Sequence, residues 1–456
     1  MTSSALPAPL PTDLPVLANS GRVGSDIDYE KFLDCVHCGL CTAACPTYLE
    51  TGDENNSPRG RIYLMRSVVD GRLELTPRVE EHLDLCLDCR ACETACPSGV
   101  QYGRLIEPFR AAQRRAETAA GNPKNQDWFH RFILYGMFPY ANRMRWSLFP
   151  AKWMQVLRLD RLLEATGLTR LLPERFRRMQ RLLPTLVNGG PALPEFLPAI
   201  GPKRARVALF TGCVADAVFR HQHWATARVL QQNGCDVVVP RQQACCGAIH
   251  YHSGADAPAL ALARQNAQAF DAAQVDAVIV NVAGCGSMLK DYGHIAHELE
   301  PQNSALQATL SNCASKIRDV SEFLYSLGLI PPKGRIPLRA VYHDACHLVH
   351  AQKIREQPRE LLAQIPELEI VAIKEPDVCC GAAGSYNLTE PEMSDRLAAR
   401  KIQNILEQSP QAIISGNVGC SMQLQAELRR AGREVWVAHP MELLDLSYRG
   451  LAPPQR

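Results

Sequence analysis

The chain has 456 residues, of which 46% are hydrophobic and 21% charged, and its formal net charge is +2. This composition is ordinary for a globular protein of two or three domains. The near-neutral charge gives no indication of a nucleic-acid partner, and none is expected. The eighteen cysteines fall in clustered motifs rather than scattered pairs, which favours metal binding in a reducing compartment over a disulfide framework.

Residues 1–27 are predicted to form a flexible tail. The first 25 residues are rich in proline and small residues and lack the charged start and apolar core of a secretory signal. No uninterrupted apolar run reaches the roughly 20 residues needed to span a bilayer. We therefore expect a cytoplasmic protein that is peripheral on the inner face of the cytoplasmic membrane.

Residues 28–120 are predicted to form the first domain, which contains two copies of the pattern C-x₂-C-x₂-C-x₃-C-P. The first copy consists of Cys35, Cys38, Cys41 and Cys45, and the second of Cys86, Cys89, Cys92 and Cys96. This doubled spacing is the signature of bacterial ferredoxins with two clusters. Zinc sites also use C-x₂-C pairs, but zinc explains neither the third cysteine nor the proline.

The two-cluster signature assigns the ligands in a crossed manner, because the last cysteine of each run reaches the other cluster. One [4Fe–4S] cluster is assigned to Cys35, Cys38, Cys41 and Cys96. The other is assigned to Cys45, Cys86, Cys89 and Cys92. Pro46 and Pro97 end the two loops, because proline removes a backbone donor and fixes φ.

A helix is predicted between the two runs, with Ser57 as its cap and Pro58 as its first residue. Arg59, Arg61 and Arg66 on this helix could neutralise the negative charge of thiolate-bound clusters, and a solvated basic face is the alternative. A further polar residue, His37, lies inside the first run, where a hydrogen bond near a sulfur is the only role expected of it.

Residues 121–203 are predicted to form a basic aromatic helical segment and linker. Between residues 128 and 186 there are eleven Arg and Lys, three Asp and Glu, and ten aromatic residues. Such a stretch is typical of a helix on a membrane surface. It is also typical of a docking face for an acidic partner, or of a helical linker that packs on neighbouring domains, and all three interpretations stay open at this point.

From residue 204 a duplicated α/β domain is predicted, with modules of residues 204–335 and 336–456. Strands are expected at residues 207–210, 237–239, 277–280, 340–342, 370–373, 413–414 and 435–437. Helical patterns such as residues 257–272 and 395–406 alternate with them, which favours parallel sheets covered by helices. The fold class expected is α+β multidomain: a helical, ferredoxin-like two-cluster domain followed by a duplicated α/β cysteine-rich domain.

The duplication is visible in the cysteines, because each module has the layout C…CCG…C. The repeated cysteines are Cys213, Cys245, Cys246 and Cys285 in the first module, and Cys346, Cys379, Cys380 and Cys420 in the second. Most of them follow a predicted strand, where ligands of open α/β sheets bind. The glycine after each Cys-Cys pair would let the backbone approach a cofactor closely.

These eight cysteines are candidate redox or cluster sites, and buried structural thiols are the alternative. For Cys235 and Cys313, which lie outside the repeat, the structural interpretation is preferred. His343 and His347, in the stretch H-D-A-C-H, could supply a ligand or a proton, and an ordinary buried histidine is the simpler interpretation of each.

From about residue 28 the chain resembles the iron–sulfur subunit of bacterial glycolate oxidase. The resemblance is carried by the doubled cysteine run, the stretch S-P-R-G-R-I-Y-L that starts at Ser57, and the two C…CCG…C modules. Its relatives share this layout: the C subunit of anaerobic glycerol-3-phosphate dehydrogenase, lactate-utilisation iron–sulfur proteins, and the cysteine-rich subunits of heterodisulfide reductase. The S-P-R-G-R-I-Y-L stretch favours the glycolate family.

The resemblance implies an electron-transfer subunit of an oxidoreductase complex, with no catalytic residue of its own. In that family separate FAD-binding subunits oxidise glycolate to glyoxylate, and the iron–sulfur subunit passes the electrons toward quinone. We therefore expect FAD-binding dehydrogenase subunits and quinone or another acceptor as partners. Two [4Fe–4S] clusters are expected, and further clusters in the CCG modules stay open. No dinucleotide fingerprint is found in the chain, so the flavin site is expected on a partner.

One departure concerns the modules. In heterodisulfide reductase relatives the last cysteine belongs to a C-x₂-C pair, whereas Met288 and Gln423 stand at the partner positions here. Each module therefore keeps four cysteines, which can hold an ordinary cluster. The alternatives left open are a subunit of a glycerol-3-phosphate or lactate dehydrogenase, a heterodisulfide-reductase-like thiol redox subunit, and a zinc-bound scaffold.

Overall fold

The structure is a computed structural model that describes residues 22–119, 121, 128–159, 163, 166–167, 173–186 and 189–454. Most of the predicted tail, residues 1–21, lies outside the described residues, as do the gaps in the linker segment. Val23 and Ile27, which the sequence placed in the tail, pack into the core of the first domain. The packed part of the chain therefore begins before residue 28.

The first domain consists of short helices around the two cysteine runs. The helices are α1 (Glu30–Leu33), α2 (Pro46–Thr51), α3 (Pro58–Val69), α4 (Pro77–Asp84), α5 (Ala91–Thr94) and α6 (Gly103–Ala119), with 3-10 turns at Thr42–Ala44 and Glu54–Asn56. The predicted start of α3 is confirmed, because the Ser57 hydroxyl accepts a hydrogen bond from the Gly60 N–H. Met65 of α3 and Phe109 of α6 are fully buried in the domain core.

The connecting segment contains a π-helical turn (Phe129–Leu134), α7 (Ala141–Val156) and α8 (Glu174–Leu182). Phe129 and Leu182 are buried against Leu388, so part of the segment packs on the second module, as a helical linker would. Within the described ranges, no helix combines the length and the apolar character that crossing a membrane requires.

The first module is a sheet of strand order β1-β3-β2-β4-β5, in which only the β1–β3 pair is antiparallel. Its strands are β1 (Phe196–Leu197), β2 (Ala205–Phe210), β3 (Cys235–Val238), β4 (Ala277–Val280) and β5 (Ile317–Asp319). Its helices are α9 (Val214–Val218), α10 (Arg220–Gln232), α11 (Ala248–His252), α12 (Asp256–Ala272), α13 (Ala283–Lys290), α14 (Tyr292–Leu299), α15 (Ser304–Lys316) and α16 (Val320–Leu327). Parallel order places the carboxyl ends of β2 and β4 at one edge, where the repeated cysteines follow.

The second module is an all-parallel sheet of order β7-β6-β8-β9. Its strands are β6 (Leu338–His343), β7 (Leu368–Val371), β8 (Ala412–Ser415) and β9 (Trp436–Ala438). Its helical elements are a π-helical turn (His347–Ala351), α17 (Glu356–Leu362), α18 (Tyr386–Thr389), α19 (Pro391–Leu406), α20 (Val418–Arg430) and α21 (Pro440–Arg449).

The two modules share one hydrophobic core. Val207 of β2 and Ala340 of β6 belong to the same buried cluster, together with Met441 of α21. Helix α10 packs on α21, where the Arg228 guanidinium makes two hydrogen bonds of 2.7 and 2.6 Å to the Asp445 carboxylate. The modules are therefore joined through packed helices rather than by a linker alone.

The predicted fold class is confirmed, because each of the seven predicted strands overlaps a strand of a parallel sheet. The sequence missed β1, which has only two residues, and β5, whose three residues Ile-Arg-Asp contain no apolar run. The two predicted helices, residues 257–272 and 395–406, correspond to α12 and to most of α19.

Candidate functional site

The first of two neighbouring thiol-lined cavities lies between the loop after α1 and the end of α5. The predicted ligands that line it are Cys35, Cys38, Cys41 and Cys96, with Cys92 at the boundary with the second cavity. Gly39 has φ +84°, and a Cβ there would lie 2.4 Å from Arg59 Nη1. The Arg59 side chain lies against Gly39, where its Nη1 donates a 3.1 Å hydrogen bond to the His37 carbonyl oxygen.

The first cavity is partly open to solvent. Cys38 is exposed, whereas burial raises the pKa of the Cys41 thiol to about 11. Burial also raises the pKa of Cys35, and a hydrogen bond from the His37 backbone N–H acts in the opposite direction. His37 therefore donates a hydrogen bond near a sulfur, as expected from the sequence, and it does so through its backbone N–H.

The second cavity is lined by buried thiols. The predicted ligands that line it are Cys45, Cys86, Cys89 and Cys92. The Tyr102 hydroxyl lies 3.6 Å from Cys86 Sγ, and the Thr47 hydroxyl 3.3 Å from Cys45 Sγ. Buried four-thiol cavities of this kind fit the donor set of an iron–sulfur cluster.

Arg61 places a positive charge beside the second cavity. Its side chain is 1% exposed, and its Nη1 lies 3.9 Å from Cys45 Sγ and 3.0 Å from the Thr47 hydroxyl. Its Nε donates to the His82 carbonyl oxygen at 2.6 Å. Arg66, in contrast, donates to the Tyr29 hydroxyl, so the arginines of α3 have different surroundings.

The two runs exchange their last cysteines between the cavities. Cys45 belongs to the first run and lines the second cavity, and Cys96 belongs to the second run and lines the first. Cys45 directly precedes α2, whose first residue is Pro46, while Cys96 follows α5 and precedes Pro97. The role of these eight thiols as cluster ligands stays a prediction.

The four repeated cysteines of the first module meet beyond the carboxyl ends of β2 and β4. Cys213 Sγ lies 3.3 Å from Cys245 Sγ, and Cys246 hydrogen-bonds to Cys245 and Cys285. The pKa of Cys245 is lowered because the thiols of Cys213 and Cys246 and the Gly247 N–H hydrogen-bond to its sulfur. The pKa values of Cys213 and Cys246 are raised by donating these bonds and by burial.

The corresponding cysteines of the second module are all buried. Cys346 Sγ lies 4.0 Å from Cys379 Sγ, and Cys380 hydrogen-bonds to Cys379 and Cys420. Asn417 Nδ2 donates a 3.2 Å hydrogen bond to Cys420 Sγ. Both modules therefore gather four thiols at the crevice where the sequence predicted a site.

The glycines after the Cys-Cys pairs allow a close approach of a helix. Gly247 and Gly381 have φ of +87° and +81°, in the left-handed region that favours glycine. A Cβ at Gly381 would lie 2.6 Å from the carbonyl oxygen of Ser394 in α19. The observed close contact is thus with a helix, where the sequence suggested a cofactor.

Basic side chains flank the thiols of the second module. His343, the last residue of β6, is buried, and burial together with the Lys401 ammonium lowers its pKa to about 3. Lys401 in α19 is 1% exposed, and its Nζ donates to two backbone carbonyl oxygens. Nδ1 of His347 lies 3.5 Å from Cys346 Sγ, so both histidines lie near thiols.

The second cavity directly adjoins the thiols of the second module. Cys89 packs against Cys346 and Cys379 in one buried cluster. The Tyr386 hydroxyl donates a 2.9 Å hydrogen bond to the Leu85 carbonyl oxygen across the same contact. Two of the four thiol sites are therefore in direct contact, although their residues lie far apart in sequence.

A buried charge network joins the first domain to the first module. Arg90 pairs with Asp88 and with Glu107, each at 2.8 Å, and Nδ1 of His252 lies 3.0 Å from Glu107 Oε1. Burial acts to raise the pKa of Asp88, but Arg90 and His252 outweigh it and lower that pKa. Sequence reasoning missed this network, because its members carry no shared spacing or motif.

Comparison with known proteins gives matches along most of the chain. Residues 31–100 match the family model for a 4Fe-4S dicluster domain, and residues 207–290 and 340–425 match that for a cysteine-rich domain. Residues 125–183 match the linker region of the glycolate oxidase iron-sulfur subunit. The probable glycolate oxidase iron-sulfur subunit of Bacillus subtilis is 38% identical over 427 residues, 92% of this chain and 94% of that protein. The chain belongs to the family of glycolate oxidase iron–sulfur subunits.

Other members of this family and more distant proteins are also similar. The glycolate oxidase iron-sulfur subunit of Escherichia coli is 33% identical over 415 residues, 90% of this chain and 93% of that protein. Lactate utilization protein A of Oceanobacillus iheyensis is 30% identical over 246 residues, 54% of this chain and 98% of that protein. The resemblance that the sequence motifs indicated is thereby confirmed, and the dicluster and cysteine-rich domains fit iron–sulfur clusters.

Proposed function

We propose that this chain is the iron–sulfur electron-transfer subunit of a flavin-dependent glycolate dehydrogenase complex. The observation that carries the proposal is the pair of adjacent four-thiol cavities in a chain whose relatives are named glycolate oxidase iron-sulfur subunits. One [4Fe–4S] cluster would be held by Cys35, Cys38, Cys41 and Cys96, and the other by Cys45, Cys86, Cys89 and Cys92. Each bound cluster would supply one-electron redox chemistry.

The residues around the second cavity exclude water and favour negative charge on the thiolates. Cys89 and Cys92 are buried, Tyr102 donates a hydrogen bond toward Cys86, and Arg61 adds a buried positive charge. Hydrogen bonds and charges near the sulfurs are the means by which a protein tunes such a site.

The rim of the first cavity is proposed as the docking point for the FAD-binding subunit. Cys38 is exposed there, and it lies between Val36 and Leu40, whose side chains are 68% and 60% exposed. Exposed apolar side chains beside a redox site are suited to a protein contact. Electrons from FAD would enter at this rim, and quinone is proposed as the final acceptor. The glycolate site would lie on the partner.

Helix α7 is proposed to hold the protein on the inner face of the cytoplasmic membrane. Trp146, Phe149 and Trp153 lie at spacings of three and four residues, and they are 80%, 55% and 54% exposed, so they form one apolar face. Arg145 anchors the helix to the first module through a 2.6 Å ion pair with Asp216. Exposed aromatic side chains on a basic helix are typical of interfacial binding.

The membrane proposal is tested by flotation with vesicles that contain anionic lipid. The Trp146→Ala, Trp153→Ala double variant is expected to float several-fold less than the unchanged protein, and Tyr325→Ala, which removes another exposed aromatic side chain, is the control. Equal flotation of the double variant and the control would exclude α7 as the membrane contact and favour a partner subunit on this face.

The cluster assignment is tested with Cys89→Ser in the assembled complex. We expect the iron content to fall by about four atoms per chain and glycolate-dependent dye reduction to be lost. Cys235→Ser removes a buried thiol outside both motifs and is expected to leave both values unchanged. Unchanged iron content in Cys89→Ser would show that this residue holds no cluster.

A lactate dehydrogenase subunit is the second candidate function. The match to lactate utilization protein A, 30% identical over 54% of this chain, favours it, and a glycerol-3-phosphate dehydrogenase subunit has the same general layout. Because the substrate would bind to the flavoprotein, the test is a screen of glycolate, lactate and glycerol 3-phosphate on the co-purified complex. Preference for lactate would replace glycolate in the proposal above.

A further inference from the structure

His343 is a buried histidine whose ring has no hydrogen-bond partner. The side chain is 1% exposed, and both of its ring nitrogens lack a partner among the described residues. A buried polar group without a partner is costly, so such a group calls for an explanation. A neutral imidazole nitrogen is also a common metal ligand.

The nearest metal-ligating groups are two cysteines of the second module. One ring nitrogen of His343 and the sulfurs of Cys380 and Cys420 all lie within 4.8 Å of one another. Ligand atoms of a tetrahedral ion with metal–sulfur bonds of about 2.3 Å are roughly 3.5–3.8 Å apart. Movements of about 1 Å would therefore bring all three groups to one ion. The neighbouring thiol is that of Cys379, which hydrogen-bonds to Cys380.

The spacing of these groups differs from that of the dicluster thiols. Among the described residues, the cysteines around the two dicluster cavities form no such triplet within 4.8 Å. They are spaced around the two cavities instead. The close spacing at His343 suits a single ion rather than a cluster of four irons.

The first module has no counterpart of this arrangement. The last residue of β2, where β6 has His343, is Phe210, which packs on Phe270 with ring centroids 6.2 Å apart. The eleventh residue of α12 is Asn266, whereas the eleventh residue of α19 is Lys401. The duplication therefore kept the thiols but placed a ligand and a cation in the second module alone.

The surroundings of the triplet complete a metal site. Asn417 donates to Cys420 Sγ at 3.2 Å, and such hydrogen bonds orient metal ligands. Three thiolates and one divalent ion leave one net negative charge, which the buried ammonium of Lys401 would balance. The thiols would release their protons to solvent when the metal binds.

We propose that the second module binds one tetrahedral divalent metal ion, Zn²⁺ or Fe²⁺, through His343, Cys379, Cys380 and Cys420. This site deepens the proposed function, because it assigns a metal to three of the repeated cysteines, and it rests on that proposal only for the thiols being metal ligands. Zinc and ferrous iron both prefer thiolate and imidazole donors, and metal analysis identifies which of them is bound.

The test measures iron, zinc and acid-labile sulfide in the anaerobically purified full-length protein. Since cubane clusters contain iron and sulfide in equal numbers, the excess of iron plus zinc over sulfide counts single ions. We expect an excess of about one per chain. His343→Phe, which introduces the residue found in the first module, should lower the excess toward zero and leave sulfide unchanged.

Two further variants separate ligation from folding. His343→Cys restores a ligand and is expected to retain the excess metal, and Cys313→Ser removes a buried thiol outside the site and should retain it as well. No excess metal in the unchanged protein, or equal losses of iron and sulfide in His343→Phe, would overturn the proposal. If the unchanged protein contained no acid-labile sulfide, that result would instead contradict the dicluster assignment.

Discussion

Replacing Arg61 by methionine is expected to lower the reduction potential of the cluster in the second cavity. The guanidinium is 1% exposed, and its Nη1 lies 3.9 Å from Cys45 Sγ. Its hydrogen bonds go to the His82 carbonyl oxygen and the Thr47 hydroxyl, which are neutral, so its charge acts on the cavity. Methionine keeps an unbranched side chain that replaces the aliphatic part of the arginine, and it removes the charge.

The size of the effect follows from Coulomb's law. An electron added to a cluster is spread over atoms beyond the ligand sulfur, so we take a distance of about 7 Å from the guanidinium. With an effective dielectric constant of about 20, the interaction is about 2.4 kcal/mol. A one-electron couple changes by about 59 mV for 1.4 kcal/mol. The expected shift is therefore about 100 mV to a more negative potential.

The assay is a redox titration followed by electron paramagnetic resonance, which reports the two clusters separately. Arg59→Met is the matched control, because Arg59 is paired with Glu54 at 2.6 Å and is partly exposed, and solvent screens such charges. Its shift should be much smaller. Unchanged potentials in Arg61→Met, or equal shifts in both variants, would refute the conclusion that the charge of Arg61 raises the reduction potential of the second cluster.

The remaining predictions concern the charge network between the first domain and the first module. Arg90→Met is expected to lower the free energy of unfolding by about 3–5 kcal/mol, because it removes the guanidinium that pairs with the buried carboxylates of Asp88 and Glu107. The free energy is measured by denaturant titration, and a change below about 1 kcal/mol would contradict this prediction. Burial acts to lower the pKa of His252, but the hydrogen bond to Glu107 and the charges of Glu107 and Asp88 together outweigh it and raise the pKa above its ordinary value near 6.5. Its stabilising contribution is therefore present below that value and is lost as the pH rises through the raised pKa. His252→Gln should thus destabilise the protein more near about pH 6 than near about pH 8.5, and a loss that is the same at both would show that His252 is not charged in the network.

Much of the architecture could be predicted because it depends on local patterns. The capping of α3 by Ser57 needs only the residues of its first turn, and the runs that became β2, β4, β6 and β8 are short apolar stretches between helical patterns. The cysteine spacing was enough to name every thiol that lines the two cavities. Strand β5 was missed, because its three residues, Ile317–Asp319, contain a single apolar side chain and form no apolar run.

The contacts among the sites could not be predicted from local patterns. Cys89 and Cys346 pack together across 257 positions of the chain, and His252 meets Glu107 across a domain boundary. Such pairs are set by how helices and sheets pack, and a single sequence does not encode that packing in any spacing.

The sequence by itself predicted the candidate metal ligands and an electron-transfer function, because ligand spacing is a local property of the chain. Only the tertiary structure decided that His343 is buried beside two thiols, while the equivalent Phe210 fills the same position in the first module. The reason is physical: cysteine spacing is fixed along the chain, whereas the other side chains around the thiols come from distant segments and are placed there by packing.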